Sequence, residues 1–154
     1  MKRSKIFRLS LVSLLMISLP LEILASSEQH KSYNISIVVH KSNTLHSLEY
    51  EQVVDLFMGK RVSSPQGDLL TPIDIESGEA LRAQFYNELT GLTLARVNAY
   101  WSRLKFTGRA RPPIKVATSD DVLNYISVNP NAIGYLPDYS VTDDLRVVYT
   151  IDEQ

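Results

Sequence analysis

The chain contains no cysteine. Disulfides, zinc–thiolate sites and cysteine nucleophiles are therefore excluded, as is a lipid anchor on an N-terminal cysteine. Histidine is scarce: His30, His40 and His46 are the three, all in the first third of the sequence. His40 and His46 can meet across a loop, but two histidines without a third ligand make a poor metal site, and they read as exposed loop residues. No HExxH, GxSxG or P-loop pattern is present. Internal repeats and low-complexity segments are lacking too. The expectation is a non-enzymatic domain without metal or cofactor, held together by an apolar core.

What is present begins with an export signal. Lys2, Arg3, Lys5 and Arg8 form a basic start, and residues 9–19 are apolar apart from three serines. That run has the length of a signal-peptide core and falls short of the roughly 20 apolar residues that a membrane span needs. Pro20 and Glu22 interrupt it, and cleavage is expected after Ala25. Removing residues 1–25 takes four basic residues and one acid from totals of 16 and 17, leaving 12 against 16, a net charge of −4. The mature chain is then expected in the periplasm, not anchored to the membrane after cleavage. Its overall charge points to neither nucleic acid nor an anionic membrane as partner. The remaining 129 of the 154 residues suffice for one core. Residues 26–32 are polar and expected to be a flexible lead.

Periodicity predicts strands at 35–39, 69–75, 114–117, 132–136 and 145–151, with helices between them. Pro72 suggests that the second strand is an edge or irregular. In the first helix Tyr50, Val53, Val54, Phe57 and Met58 share one face, Ser47 is the expected N-cap and Gly59 ends it. Ser77 caps the second helix, whose inner face carries Leu81, Phe85 and Leu89. Thr93 opens a third, with Leu94, Val97, Trp101 and Leu104 inward. Thr118 and Asp121 form a capping box for a fourth, with Val122, Tyr125 and Ile126 inward. Strands alternating with helices at short spacing predict an α/β domain with a mostly parallel open sheet flanked by helices.

Two places carry candidate chemistry. Ser77-Gly78 follows a strand and opens a helix, so unpaired backbone N–H groups there can hold an anion, although Glu79 in the same turn repels one. The acids Asp74, Glu76 and Glu79 read as helix-start residues interacting with the dipole rather than as catalysts. Arg103, Lys105, Arg109, Arg111 and Lys115 put five cations into thirteen residues around Gly108 and Pro112-Pro113. This basic loop can take an acidic partner or anion.

Several segments, in order, resemble phosphate-binding components of ABC importers. Leu56-Phe57-Met58-Gly59-Lys60-Arg61 resembles that family's helix followed by Gly-Lys. Residues 73–78 resemble the strand leading into its phosphate turn. Asn129-Pro130-Asn131-Ala132-Ile133-Gly134-Tyr135 resembles its Pro-Gly-Ala-Ile-Gly-Tyr motif, the most specific of the set. Leu81-Arg82-Ala83-Gln84-Phe85-Tyr86 and the stretch from Phe106 to Pro113 resemble short, single-lobe members. The resemblance implies one three-layer lobe of the type 2 periplasmic binding protein-like fold over residues 33–152. It also implies a phosphate-like anion at Ser77, Gly78, Glu79 and Arg82. The pattern departs at Glu79, where the family has threonine, and at Ile73 and Ile75, near which its arginine and aspartate fall. Tight phosphate capture is therefore not expected.

Two functional expectations follow. One is a binding-protein-like domain that holds a small anion or solute weakly. The other is an interaction module that has lost solute binding and docks on an envelope protein through Arg109 and Arg111. A homodimer rebuilding a two-lobed cleft is a further possible assembly.

Overall fold

A computed structural model describes residues 33–76 and 79–152. The expected export signal, the polar lead and the pair Ser77-Gly78 lie outside the described residues. Lys31–Gln154 is one compact unit, and every member of the hydrophobic core lies inside it.

The described residues form five strands and four α-helices. β1 is Ile35–His40, α1 Tyr50–Phe57, β2 Thr71–Ile75, α2 Glu79–Thr90, α3 Leu94–Thr107, β3 Ile114–Val116, α4 Ser119–Val128, β4 Ala132–Pro137 and β5 Leu145–Ile151. Strands and helices alternate except that α3 follows α2 directly and a 3-10 turn at Asp138–Ser140 joins β4 to β5. The sheet order is β3-β2-β4-β1-β5. β2 pairs in parallel with β3 and β4, while β1 runs antiparallel to both β4 and β5. Four of the five strands thus point the same way, and β1 alone is reversed. The α/β expectation with a mostly parallel sheet holds.

Local chemistry explains most boundaries. Thr118 and Asp121 form the expected box, the Asp121 N–H donating to Thr118 Oγ1 at 3.2 Å and the Thr118 N–H to Asp121 Oδ2 at 3.0 Å. α1 differs from expectation. Its N-cap is Glu49, whose N–H donates to Gln52 Oε1 at 2.8 Å, so Gln52 fills the reciprocal capping position that Ser47, two residues earlier, cannot reach. β2 is not an edge strand either. Pro72, second in β2, pairs in register with Ile133 at the start of the β2–β4 ladder, where a missing N–H costs least.

Two glycines matter because of what surrounds them. Gly59, at φ 70°, follows α1 in the left-handed region, and a Cβ there would lie 2.6 Å from Trp101 Cη2 and 3.2 Å from the Ala110 Cβ. The turn after α1 therefore lies against α3 and the loop that follows it. Gly134, in the middle of β4, leaves room for α4, since a Cβ there would come 2.6 Å from Val122 Cγ1. The two faces of the sheet are filled differently. Ile73 and Gly134 meet α4, while Phe57, Phe85 and Tyr135 cluster with rings edge to face or stacked, Phe85 lying 3.9 Å from Tyr135 between ring centres. No helix among the described residues is long and apolar enough to cross a membrane.

Candidate functional site

β2 runs Thr71-Pro72-Ile73-Asp74-Ile75 and so alternates its side chains across the sheet. Ile73 and Ile75 are fully buried; Ile73 lies toward α4. Asp74 is fully buried as well and faces the other way, toward α2 and β3. It is not a helix-start acid interacting with a dipole, as the sequence suggested; it is the centre of a polar cluster within the core.

Four side chains converge on its carboxylate. Arg82 Nε donates to Oδ1 at 3.1 Å and to Oδ2 at 3.0 Å. Lys115 Nζ donates to Oδ2 at 2.5 Å, Tyr86 Oη to Oδ2 at 3.1 Å, and Tyr135 Oη to Oδ1 at 2.7 Å. Arg82 is held further by Asn98 Oδ1, accepting from Nη2 at 3.1 Å, and by the Tyr86 ring, 5.3 Å from its guanidinium carbon. The backbone N–H of Ile75 donates to Tyr135 Oη at 3.3 Å. A buried carboxylate is expensive unless paired and hydrogen-bonded, and here both oxygens are satisfied.

Arg82 was expected to line an anion site with Ser77, Gly78 and Glu79. Its side chain is only 8% exposed and is committed to Asp74. The reason is helical geometry: Leu81, Arg82, Phe85, Tyr86 and Leu89 form one buried stripe of α2, so Arg82 and Tyr86 share the face that Leu81 and Phe85 bury. Ser77 and Gly78 lie outside the described residues; in the chain they separate the end of β2 from the start of α2. Lys115 was read as part of the basic loop, but its register partner in β2 is Asp74, which places their side chains on one face of the sheet. Its side chain is 34% exposed, making it the cation of this cluster that reaches solvent. The cluster holds two cations against one carboxylate, Asp74 lying near the carboxyl end of β2.

The phenols of Tyr86 and Tyr135 are both pushed well above 10, first by burial and then by the negative charge of Asp74. They therefore remain neutral donors. The sign follows directly: above pH 10 the unfolded chain loses phenol protons that the folded chain keeps, so stability present below pH 10 is lost as pH rises. Urea midpoints are expected to fall between about pH 9 and pH 11, and Tyr135→Phe should flatten that fall while costing about 1 kcal/mol at neutral pH for its lost bond. An equally steep decline in the variant would remove Tyr135 from this linkage.

Arg109 and Arg111, the other candidates, are exposed in the loop between α3 and β3. That loop enters β3, so it lies at the amino ends of the parallel strands, opposite the Ser77-Gly78 turn at their carboxyl ends. The two sets of candidate residues therefore belong to opposite ends of the sheet. His40 Nδ1 lies 2.7 Å from Ser42 Oγ, and no group of three potential metal ligands exists among the described residues.

Solved structures share this fold. One is an ABC-type phosphate transport receptor from Vibrio cholerae, 19% identical, with a TM-score of 0.59 over 75% of this chain and 45% of the receptor. A second is a phosphate ABC transporter substrate-binding protein from Clostridium perfringens, solved with bound phosphate, 20% identical with the same TM-score and coverage. A third is PstS from Borrelia burgdorferi, 14% identical, with a TM-score of 0.56 over 75% of this chain and 47% of that one. The chain has the fold of phosphate-binding receptors. It spans less than half of their length. No protein-family model and no curated protein matches the sequence.

The family-like motifs now have physical content. In Ala132-Ile133-Gly134-Tyr135, Gly134 admits α4 on one face while Tyr135 reaches Asp74 on the other. In Leu81-Arg82-x-x-Phe85-Tyr86, the polar pair serves Asp74 and the apolar pair serves the core.

Proposed function

We propose that this chain is a non-catalytic, periplasmic binding-protein-like module that holds a small anion weakly at the carboxyl ends of its parallel strands. Open α/β sheets bind ligands at that end. The observation that carries the reading is the Asp74–Arg82–Lys115 cluster near the carboxyl end of β2. Arg82 and Lys115 outnumber the carboxylate they serve, and Lys115 reaches solvent beside the start of α2. The likeness to receptors that include one solved with phosphate supports an anion as ligand.

The same cluster accounts for weakness. Arg82 is saturated by Asp74 and Asn98, and Lys115 is shared with Asp74. Glu76 is exposed where β2 ends, and Glu79 opens α2. A bound anion would gain backbone N–H bonds and part of one ammonium, with two acids close by in the chain. Charge-assisted bonds are each worth about 1.5–3 kcal/mol, and few are on offer. Isothermal calorimetry with phosphate, sulfate and acetate is expected to give a Kd of about 1 mM or weaker, on the order of −4 kcal/mol. No heat from any of them at about 10 mM would defeat anion binding, and a micromolar Kd would defeat the claim of weakness.

Export completes the proposal. Residues 1–25 would direct the chain to the periplasm and be removed there. N-terminal sequencing of periplasmic protein should read Ser26-Ser27-Glu28. A chain retained with Met1 would argue against a cleaved signal.

A further inference from the structure

A second surface lies at the opposite end of the sheet. From residue 89 to residue 119 the chain has six cations, Arg96, Arg103, Lys105, Arg109, Arg111 and Lys115, and no acid, in a protein of net charge −1. Lys115 turns inward to Asp74. Arg103, Lys105, Arg109 and Arg111 are exposed at the end of α3 and in the loop that leads into β3, and none forms an ion pair with a described carboxylate. The Gly59 turn packs against Ala110 of that loop, so exposed Arg61 follows it onto the same end.

Large apolar side chains protrude at this end too. Phe106 is 94% exposed, Val128 76%, Leu69 67% and Val62 63%. Phe106 and Val128 end or nearly end α3 and α4; Val62 and Leu69 sit in the loop entering β2. Val62, Leu69 and Val128 therefore belong to the amino ends of the parallel strands β2 and β4, and Phe106 comes eight residues ahead of β3. The overall charge, which pointed away from membranes, conceals this concentration of cations.

We propose that the amino end of the parallel strands docks on an anionic lipid surface, with Phe106 inserted among the headgroups and Arg103, Lys105, Arg109 and Arg111 on lipid phosphates. The form of the surface favours lipid over an acidic protein. Phe106, Leu69 and Val62 each keep most of their area in solvent, and Val128, exposed as well, lines a pocket with Tyr125 and Pro130. Phe106, with Arg103, Lys105, Arg109 and Arg111 around it in the chain, suits an interface that is hydrocarbon below and anionic above, while exposed Asp68, Asp143 and Asp144 lie in the loops entering β2 and β5. Docking there leaves the carboxyl ends of the strands, with the turn at Ser77-Gly78, facing away from the lipid.

The test is vesicle co-sedimentation of residues 31–154, the compact unit that holds the whole core. This form excludes the basic, apolar residues 1–25, which would bind lipid themselves. Partitioning is expected onto phosphatidylcholine vesicles with about a third phosphatidylglycerol, and not onto phosphatidylcholine alone. It should fall about 25-fold in Arg109→Gln/Arg111→Gln, at about fivefold per cation. It should also fall about tenfold in Phe106→Ser, and collapse at about 0.5 M salt. Both variants alter exposed residues, and unchanged circular dichroism checks their fold. Equal binding to neutral vesicles, no binding to either kind, or unchanged partitioning in either variant would overturn the proposal. Binding to soluble polyglutamate without binding to vesicles would overturn it in favour of an acidic protein.

Discussion

Asp74→Ala is expected to destabilise the fold by about 3–5 kcal/mol. The carboxylate is fully buried and serves four donors. Its removal leaves Arg82 buried with Asn98 as its acceptor among the described residues, and takes from two phenols the carboxylate they donate to. Breaking one side of a buried ion pair costs far more than the pair contributes relative to apolar residues of the same size. Two companion variants separate these effects. Asp74→Asn keeps the shape but not the charge and should cost less than the alanine. Replacing Asp74, Arg82 and Lys115 together with Leu, Met and Met removes every charge of the cluster and should recover most of the loss. Urea unfolding monitored by Trp101 fluorescence reads all three. A loss under about 1 kcal/mol for Asp74→Ala would mean that water compensates for the missing carboxylate.

Gly134→Val is expected to cost about 3 kcal/mol, at the upper end for an overpacked core. The first added carbon would already lie 2.6 Å from Val122 Cγ1 and 3.4 Å from Ile126 Cδ1. β4 is central, between β2 and β1, and its register with both is fixed by ladders on either side, so relief must come from α4 moving outward. That movement would loosen Val122 and Ile126, which are fully buried. The cause can be isolated. Gly134→Ala alone should destabilise, and adding Val122→Ala should make the second change less costly than it is in the parent chain. A double-mutant cycle with coupling of at least about 1 kcal/mol is the expected outcome. Strict additivity would show that α4 does not rest on Gly134.

The fold was largely legible because its signals are local. Val53 and Phe57 at helical spacing, the Thr118–Asp121 box and the β-branched run of β1 each declare their element within a few residues. The misreadings arose where the deciding contact is distant in sequence. Pro72 suggested an edge strand, yet whether β2 is flanked on both sides depends on β3 and β4, about forty and sixty residues further on. Ser47 was as good a cap by residue type as any, and the Glu49 N–H donating to Gln52 Oε1 settled the matter.

The candidate site was less legible for the same reason. Asp74 stands beside Glu76 and just ahead of a helix, where acids usually interact with the dipole. Only pairing across strands shows that it faces Lys115 and Tyr135. One signal was available: Leu81, Arg82, Phe85 and Tyr86 repeat at i and i+4, so Arg82 and Tyr86 had to share a stripe next to the core. A buried arginine beside a buried tyrosine then asks for a buried acid, and Asp74 is the acid within the preceding strand. The departures from the family pattern at Ile73 and Ile75 flank the deciding residue, Asp74, whose side chain occupies the opposite face of the sheet.

The most direct test of the account is an amide NMR titration of the folded chain with phosphate. Shifts growing with a midpoint of about 1 mM or more are expected at Glu76, Ser77, Gly78, Glu79 and Lys115. Residues around Arg109 and Arg111 should move far less at the same concentrations. Shifts confined to the Arg109–Arg111 loop, or no shifts anywhere at saturating phosphate, would contradict a binding module that keeps its anion at the carboxyl ends of its strands.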